Sequence, residues 1–434
     1  MQNTLYKTAL IDLYEKYNLD TYIKNNSINL GYPPDNIRVH SRSLGVWLSS
    51  TKKFHTLDLS QPIKGSIQVV DFFSGCGGIS SGFKAFSTII NSFEEVCAID
   101  NDIKANSTFK ENLGLTPLEL DINTLVDLNS RDLYKILNIN PSKPLLIIGC
   151  APCQGFSAHS KKLKVTNDTR NTLVGKFANI AKKLNPDFIV MENVPELLSK
   201  KYWSNFEEFE TTFLESGYNV RARVYNMADF GIPQARHRSI VLASKRKFLM
   251  PEGFLKPNQY QTVRDAIGHL PPIEPGIPSP TDPFHVTAKH QKSTIETIKS
   301  VPKNGGNRPI GSGPQCLDKV KGFSDVYGRL SWDKPAITMT NYARNPASGR
   351  FVHPEQDRGL SVREVSLIQG FPQNYKFLGN FDEKYRQIGN SVPPRFATYL
   401  AAFIFGEILS EEPTEEQYLL DCSEDINFSL TNTF

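Results

Sequence analysis

Two cysteines three residues apart close an apolar run, Leu145-Leu-Ile-Ile-Gly-Cys150-Ala-Pro-Cys153-Gln-Gly-Phe-Ser157. Cys153 thus follows a segment that reads as a buried strand, and the ends of such strands are where open α/β sheets keep their reactive groups. A thiol there can serve as a nucleophile, as half of a redox pair, as a metal ligand or as inert packing. Zinc needs four ligands, and no second CxxC or HxxxH pair accompanies this one, so no metal is expected. A thioredoxin-like pair would open a helix in a much smaller domain. Pro152 stiffens the loop, which suits a thiolate that must be aimed. The next apolar run ends in Met191-Glu192-Asn193-Val194-Pro195, so Glu192 can point into the same pocket. Gln234-Ala-Arg236-His-Arg238 alternates two arginines, which an extended segment would place on one face, either as anion anchors or as an ordinary surface pair.

A second set of residues is suited to hold a ligand. Val69-Val70-Asp71-Phe72-Phe73-Ser74-Gly75-Cys76-Gly77-Gly78 runs from a strand through glycines into a helix start, where the backbone can approach a ligand and free N–H groups face it. The third glycine is displaced to Gly82, so an adenosine-bearing ligand other than a dinucleotide is favoured. No phosphate-binding lysine follows the glycines, which disfavours ATP. Asp100 ends the next strand and can accept both ribose hydroxyls. Asp121 ends the one after and can accept an adenine amino group, with Ile122 packed on the ring.

Positioning these groups requires a sheet. Between about 66 and 244 the runs IQVVDFF, VCAID, LLIIGC, FIVMENV and SIVLAS alternate with helical patterns, which predicts a parallel, doubly wound α/β sheet. The texture then turns Pro/Gly-rich and irregular (LPPIEPGIPSPTDPF, PKNGGNRPIGSGP), marking a smaller domain over 245–375. Helical pattern returns in PPRFATYLAAFIFGEIL, so residues 376–410 are expected back on the first domain, and 1–65 form a separate N-terminal extension. With 434 residues two folded parts are needed. Six cysteines do not make a disulfide framework, and neither a membrane span nor an export signal is evident. The net charge of +4 hides a division: from Lys289 to Arg350 eleven Lys/Arg face four acids, while from Glu407 onward there are eight acids and no Lys or Arg. The basic stretch suits a polyanion, and the acidic end, 411–434, reads as a solvated tail.

Together the motifs DFFSGCGG, APCQGFS, DTRNTL, MENV, QARHR, SVREVSLIQGFPQNY and QIGNSVPP, in this order from Val69 to Ala402, resemble the cytosine-C5 DNA methyltransferases of bacterial restriction-modification type. The resemblance implies a Rossmann-like doubly wound sheet binding S-adenosylmethionine, released as S-adenosyl-L-homocysteine, beside an irregular target-recognition domain. It makes Cys153 the nucleophile, Glu192 the group that binds and protonates cytosine N3, and Arg238 the anchor on the O2 side, with Arg236 beside it. Burial would help Glu192 to hold its proton. Phe73, Gly75, Cys76, Gly77, Gly78, Asp100, Asn101, Asp121, Ile122, Pro152, Leu173, Asn390, Ser391 and Val392 would surround the cofactor, with Asn193 and Arg170 in support. Asp100 stands where the family often has Glu, Asn101 where some members have Trp, and Cys150 where glycine is common.

The implied substrate is double-stranded DNA with its target cytosine flipped out, because C6 of a stacked base cannot reach a buried thiol. Gln154, Ser157, Arg308, Arg344 and Arg350 are the DNA-contacting candidates, on loops that include KNGGNRPIGSG and TNYARNPASGR. The same resemblance implies a monomer in the bacterial cytoplasm, associated with the nucleoid. It needs no obligatory protein partner, and a cognate restriction endonuclease belongs to the same system. Two rivals remain: a tRNA cytosine-5 methyltransferase, against which stands the absence of a Cys-Phe-Thr motif, and a catalytically silent DNA-binding regulator, against which stand Cys153, Glu192 and Arg238.

Overall fold

The computed structural model describes residues 2–30, 37–152, 173–318 and 325–425. Its centre is a six-stranded sheet built from β1 (Ile67–Phe72), β2 (Phe93–Ile99), β3 (Leu145–Gly149), β4 (Phe188–Asn193), β5 (Asn219–Asn226) and β7 (His237–Ser244). The strand order is β2-β1-β3-β4-β7-β5. Every residue of β1, β3 and β4 is buried, as expected for strands covered on both faces by helices. β2, β1, β3 and β4 are mutually parallel. β7 runs antiparallel to both β4 and β5, so the sheet is mixed rather than wholly parallel. The 226–237 connection that reverses the chain carries the two-residue β6 (Gln234–Ala235), which pairs in parallel with β8 (Ala336–Ile337).

Two layers cover the sheet. On one face the helices Gly78–Ile90 and Pro394–Leu409 share a core with Val69, Leu146, Ile148 and Val190, and Met250 and Phe254 enter the same core. The N-terminal segment is part of this layer. The helix Ile37–Ser50 lies so close to Pro394–Leu409 that a Cβ on Gly45 would stand 2.4 Å from Ala402 Cβ. Glu407 neutralises Arg38 (2.8 Å) and Arg42 (3.1 Å) inside this contact. On the other face, Leu173–Leu184 and Trp203–Leu214 pack on Val70, Ile147 and Met191.

A separate apolar cluster joins Val263, Ile267, Leu330, Met339, Phe351, Val362, Ile368, Tyr375, Tyr385 and Ile388. Little of this region is regular, and side-chain ties replace ladders. Arg358 grips Glu364 with both nitrogens at 2.8 and 2.7 Å. Arg329, fully buried, donates to the carbonyls of Val301, His353, Gln356 and Ile298.

The acidic end is not a solvated tail as far as it is described. The helix Glu415–Cys422 lies against edge strand β5, where Asp421 and Asp425 take both Arg221 (2.5 and 2.7 Å) and Arg223 (3.0 and 2.7 Å). The two arginines sit two apart on one face of β5 and are nearly fully buried, so they require these acids more than the acids require water.

Candidate active site

Because β1 leads to β2 on one side and β3 lies on the other, the chain leaves the C-terminal ends of β1 and β3 in opposite directions, and a crevice opens between them. A cleft of about 1110 Å³ occupies it. Its walls come from the ends of four strands: Phe73–Cys76 and Gly78 after β1, Asp100–Asp102 after β2, Cys150–Pro152 after β3 and Glu192–Val194 at β4. Thr338–Tyr342, Arg386 and Gly389–Val392 close it from the later part of the chain.

The glycine turn is shaped for close approach. Phe73 (φ 60°), Gly75 (φ 53°) and Gly77 (φ 87°) all lie in the left-handed region. A Cβ on Gly75 would meet nothing within 4 Å, whereas one on Gly78 would stand 2.5 Å from Val392 O and 2.9 Å from Ser391 Cβ. One glycine therefore leaves space in the cleft and the other lets the Ser391 loop close. Cys76 joins the glycine turn to the opposite wall, its Sγ 3.1 Å from Ser391 Oγ and 3.6 Å from Gln387 O, and burial pushes its thiol up to about 12.

Asp100 is oriented by two backbone donors, Gly75 N on one oxygen and Asp102 N on the other, both at 2.8 Å. Burial pushes its carboxyl above the usual range, although those N–H groups oppose it. Asp121 caps a short turn by accepting from Asn123 N (2.8 Å) and Asn123 Nδ2 (2.7 Å), and Ile122 is buried beside it. Leu173 and Lys176 complete that end of the cleft.

At the other end, Arg238 Nε donates to Glu192 Oε1 at 3.0 Å. The reversal of β7 makes this possible, since the start of an antiparallel strand lies beside the end of its neighbour, and Glu192 pairs with Ile240 across the ladder. Arg236 does not share that exposure. It is 1% exposed and donates to the carbonyls of Met339 (3.1 Å), Gly389 (3.0 Å) and Ser391 (3.4 Å). Burial, and then Arg238, hold its guanidinium well below the usual arginine range. It works as a clamp among the three walls. Gln234 and Gln369 extend the clamp, bonding to each other at 2.8 Å and to Met339 N and Ser391 O. Asn193 ties β4 to the β3 loop through Ala151 O at 3.3 Å.

A family model described as C-5 cytosine-specific DNA methylase matches residues 67–406. The chain belongs to this family. Among curated relatives, the type II methylase M.HgiDII of Herpetosiphon aurantiacus is 34% identical over 349 residues, 77% of this chain and 94% of its own length. The type II methyltransferase M1.HphI of Haemophilus parahaemolyticus is 34% identical over 340 residues, 77% of this chain and 86% of its own length. A solved protein described as a DNA modification methyltransferase encoded within a prophage (E. coli) superposes with a TM-score of 0.61 at 23% identity, covering 79% of this chain and 99% of its own. The chain thus has the Rossmann-like fold of the C5 methylases, an S-adenosylmethionine-dependent family.

In the C5 methylase cleft the described candidates Phe73, Gly75, Cys76, Gly78, Asp100, Asn101, Asp121, Ile122, Pro152, Leu173, Asn390, Ser391 and Val392 converge on one space with Glu192, Arg236 and Arg238. Gly77 stands just behind it, facing Leu113, Phe109 and Tyr375. Cys153, Gln154, Ser157 and Arg170 lie outside the described residues. Arg308, 7% exposed at its side chain, braces its own loop through Asp318 (2.8 Å) and Ser312 O (2.5 Å). Arg350 likewise ties Asp325 to the carbonyls of Gly305, Gly306 and Arg329. Arg344, more exposed, pairs with Asp382 at 3.0 Å. Sequence reasoning did not single out Lys176, Asp102 or Arg386, although Arg386 precedes Asn390 by one helical turn and so shares its face.

Proposed function

We propose that the chain methylates C5 of a flipped-out cytosine within a specific sequence of duplex DNA, with S-adenosylmethionine as methyl donor, and protects host DNA in a restriction-modification system. The observation that carries this reading is the placement of the Glu192–Arg238 pair in the same cleft as the Asp100-backed glycine turn. The donor set fits the cofactor. Asp100 is held with its oxygens aimed and lone pairs left for ribose hydroxyls, and the open space at Gly75 admits a ligand against the backbone.

When bound, S-adenosylmethionine supplies the methyl group. The chain's own residues prepare the base. The thiolate of Cys153 adds to C6, and the ring electrons that this displaces make C5 nucleophilic. Glu192 shares a proton with N3 to absorb the developing charge, and Arg238 fixes the base at O2. Once C5 carries the methyl group, loss of its proton and departure of the Cys153 thiolate restore the aromatic ring. Flipping the base costs a few kcal/mol, which contacts from residues 245–375 return. There Arg344 meets phosphate, and Arg308 and Arg350 add positive potential while bracing their loops; Gln154 and Ser157, next to Cys153 in the sequence, are further DNA contacts. We infer a monomer acting in the cytoplasm. No helix among the described residues is long and apolar enough to cross a membrane.

The test is transfer of tritiated methyl from S-adenosylmethionine to mixed-sequence duplex DNA, with Cys153→Ser beside wild type and total tRNA in parallel. Label on duplex DNA that the substitution abolishes is expected, and bisulfite sequencing then gives the target. Label on tRNA alone would overturn the substrate.

A further inference from the structure

Beneath the glycine turn lies a group of polar side chains that the methyl-transfer chemistry does not use. Ser80, in the first turn of Gly78–Ile90, places its Oγ 2.6 Å from Asp71 Oδ2 and 2.5 Å from Glu95 Oε1. Asp71 is 0% exposed as the second-last residue of β1, and Glu95 is half-buried on β2, the strand that Asp100 directly follows. One hydroxyl carries one proton and can donate to one carboxylate only. Two oxygens at such distances from Ser80 Oγ therefore require a second proton, held by one of the two acids. Asp71 is the better holder, because its Oδ1 is buried with no hydrogen-bond partner among the described residues, a position unfavourable for an ionised carboxylate.

We propose that Asp71, Ser80 and Glu95 form a proton-sharing brace, Asp71 O–H to Ser80 O–H to Glu95 carboxylate, that holds the glycine turn and the Asp100 strand in cofactor-binding register. The three residues belong to β1, the helix that starts at Gly78, and β2, so the brace ties together both limbs of the turn and the strand that carries the ribose acceptor. Without its proton the brace leaves two carboxylates competing for one donor, and the turn loosens. Burial pushes Asp71 well up, and it pushes Glu95 up to about 7, against Ser80 and Lys84. The other groups that face the pair are fixed over the neutral range or act one way. Cys97 is pushed up to about 12 by burial, Cys150 and Tyr375 are pushed well up by burial, and Asp100 adds repulsion on Asp71. Lys84, whose amine donates to Leu113 O, is the attractive charge on Glu95.

The inference rests on S-adenosylmethionine being the ligand, so the tests separate the two. Isothermal titration of S-adenosylmethionine from pH 6 to 9.5 is expected to show wild-type affinity falling at least fivefold on the alkaline side. Asp71→Asn, whose amide donates permanently to Ser80, should match wild type within about threefold at pH 6 and stay flat. Ser80→Ala should bind at least fivefold more weakly at pH 6. A wild-type profile flat to pH 9.5, or an Asp71→Asn profile with the wild-type limb, overturns the brace. Should Asp71→Asn fail to fold, the difference infrared spectrum of the wild type between acid and alkaline pH decides. A protonated-carboxyl carbonyl band that persists at pH 8, above the Glu95 titration, and disappears on raising the pH further is expected, and its absence overturns the proposal. If no S-adenosylmethionine binds at any pH, the cofactor reading fails, and the infrared band still judges the brace.

Discussion

Glu192 and Arg238 were both visible as chemistry in the sequence, yet what makes them a site is the reversal of one strand. MENV and QARHR stand more than 40 residues apart, and only an antiparallel β7 brings the start of one beside the end of the other. The alternation of Arg236 and Arg238 was legible, but the expectation of one shared face was incomplete: Arg238 meets Glu192 in the cleft while Arg236 is buried on three carbonyls. A buried guanidinium without acid partners is costly, and its backbone acceptors belong to segments that no local pattern connects. At this scale Glu192→Gln is predicted to lower kcat by about 10²–10⁴-fold, the range of a lost proton donor. Because Glu192 stands apart from Asp100 and Asp121, titration of S-adenosylmethionine should show Kd within about threefold of wild type. Arg236→Met should act differently, weakening cofactor binding and lowering the melting temperature together, since it loosens the wall that carries Ser391.

At the scale of elements, the apolar runs marked β1, β3, β4 and β7 within a residue or two, because strands buried on both faces leave little room for polar residues, whereas VCAID missed the first three residues of β2, where Glu94 and Glu95 interrupt the apolar pattern. β5 went unread because NVRARVYN carries arginines where a strand pattern wants apolar side chains, and the acids that neutralise them lie some 200 residues away. The irregular region also resisted reading, its order coming from Arg329 and Arg358 rather than from periodicity. The glycines allow a sharper comparison. Gly389→Ala would drive its Cβ to 2.3 Å from Asn341 N and 2.4 Å from Thr340 C, both backbone atoms. The wall carrying Asn390 and the 338–342 wall must then part. A loss of at least tenfold in S-adenosylmethionine affinity by calorimetry is expected, with far-ultraviolet circular dichroism unchanged. Gly217→Ala, at positive φ (78°) where Gly389 is helical, but with nothing within 4 Å of its Cβ, should cost about 1 kcal/mol of stability and leave the affinity alone.

For the whole molecule, charge sets how the parts respond to conditions. His353 is 4% exposed, and its Nδ1 accepts from the backbone of Glu355 and Gln356, both at 3.0 Å. Burial holds its pKa down at about 4, against the pull of Glu364. A histidine depressed on folding is neutral in the native state, so the unfolded chain takes the proton first. Stability is whole above the ordinary value of 6.5 and is lost as pH falls toward 4, by on the order of 3 kcal/mol for this residue. Urea unfolding midpoints should drop across that window, and less so in His353→Gln. The acidic segment acts at neutral pH. It packs on the face of edge strand β5 that carries Arg221 and Arg223 and leaves the two guanidiniums paired rather than stranded. Removing one side of a buried ion cluster costs about 3–5 kcal/mol, because the remaining charges stay desolvated. Asp421→Asn combined with Asp425→Asn should therefore lower the urea midpoint by that equivalent, with little relief from added salt, while the Kd for S-adenosylmethionine stays within about twofold. A salt-sensitive loss of a few tenths of a kcal/mol would instead show that the acids lie on the surface and that the sheet edge is held by packing alone.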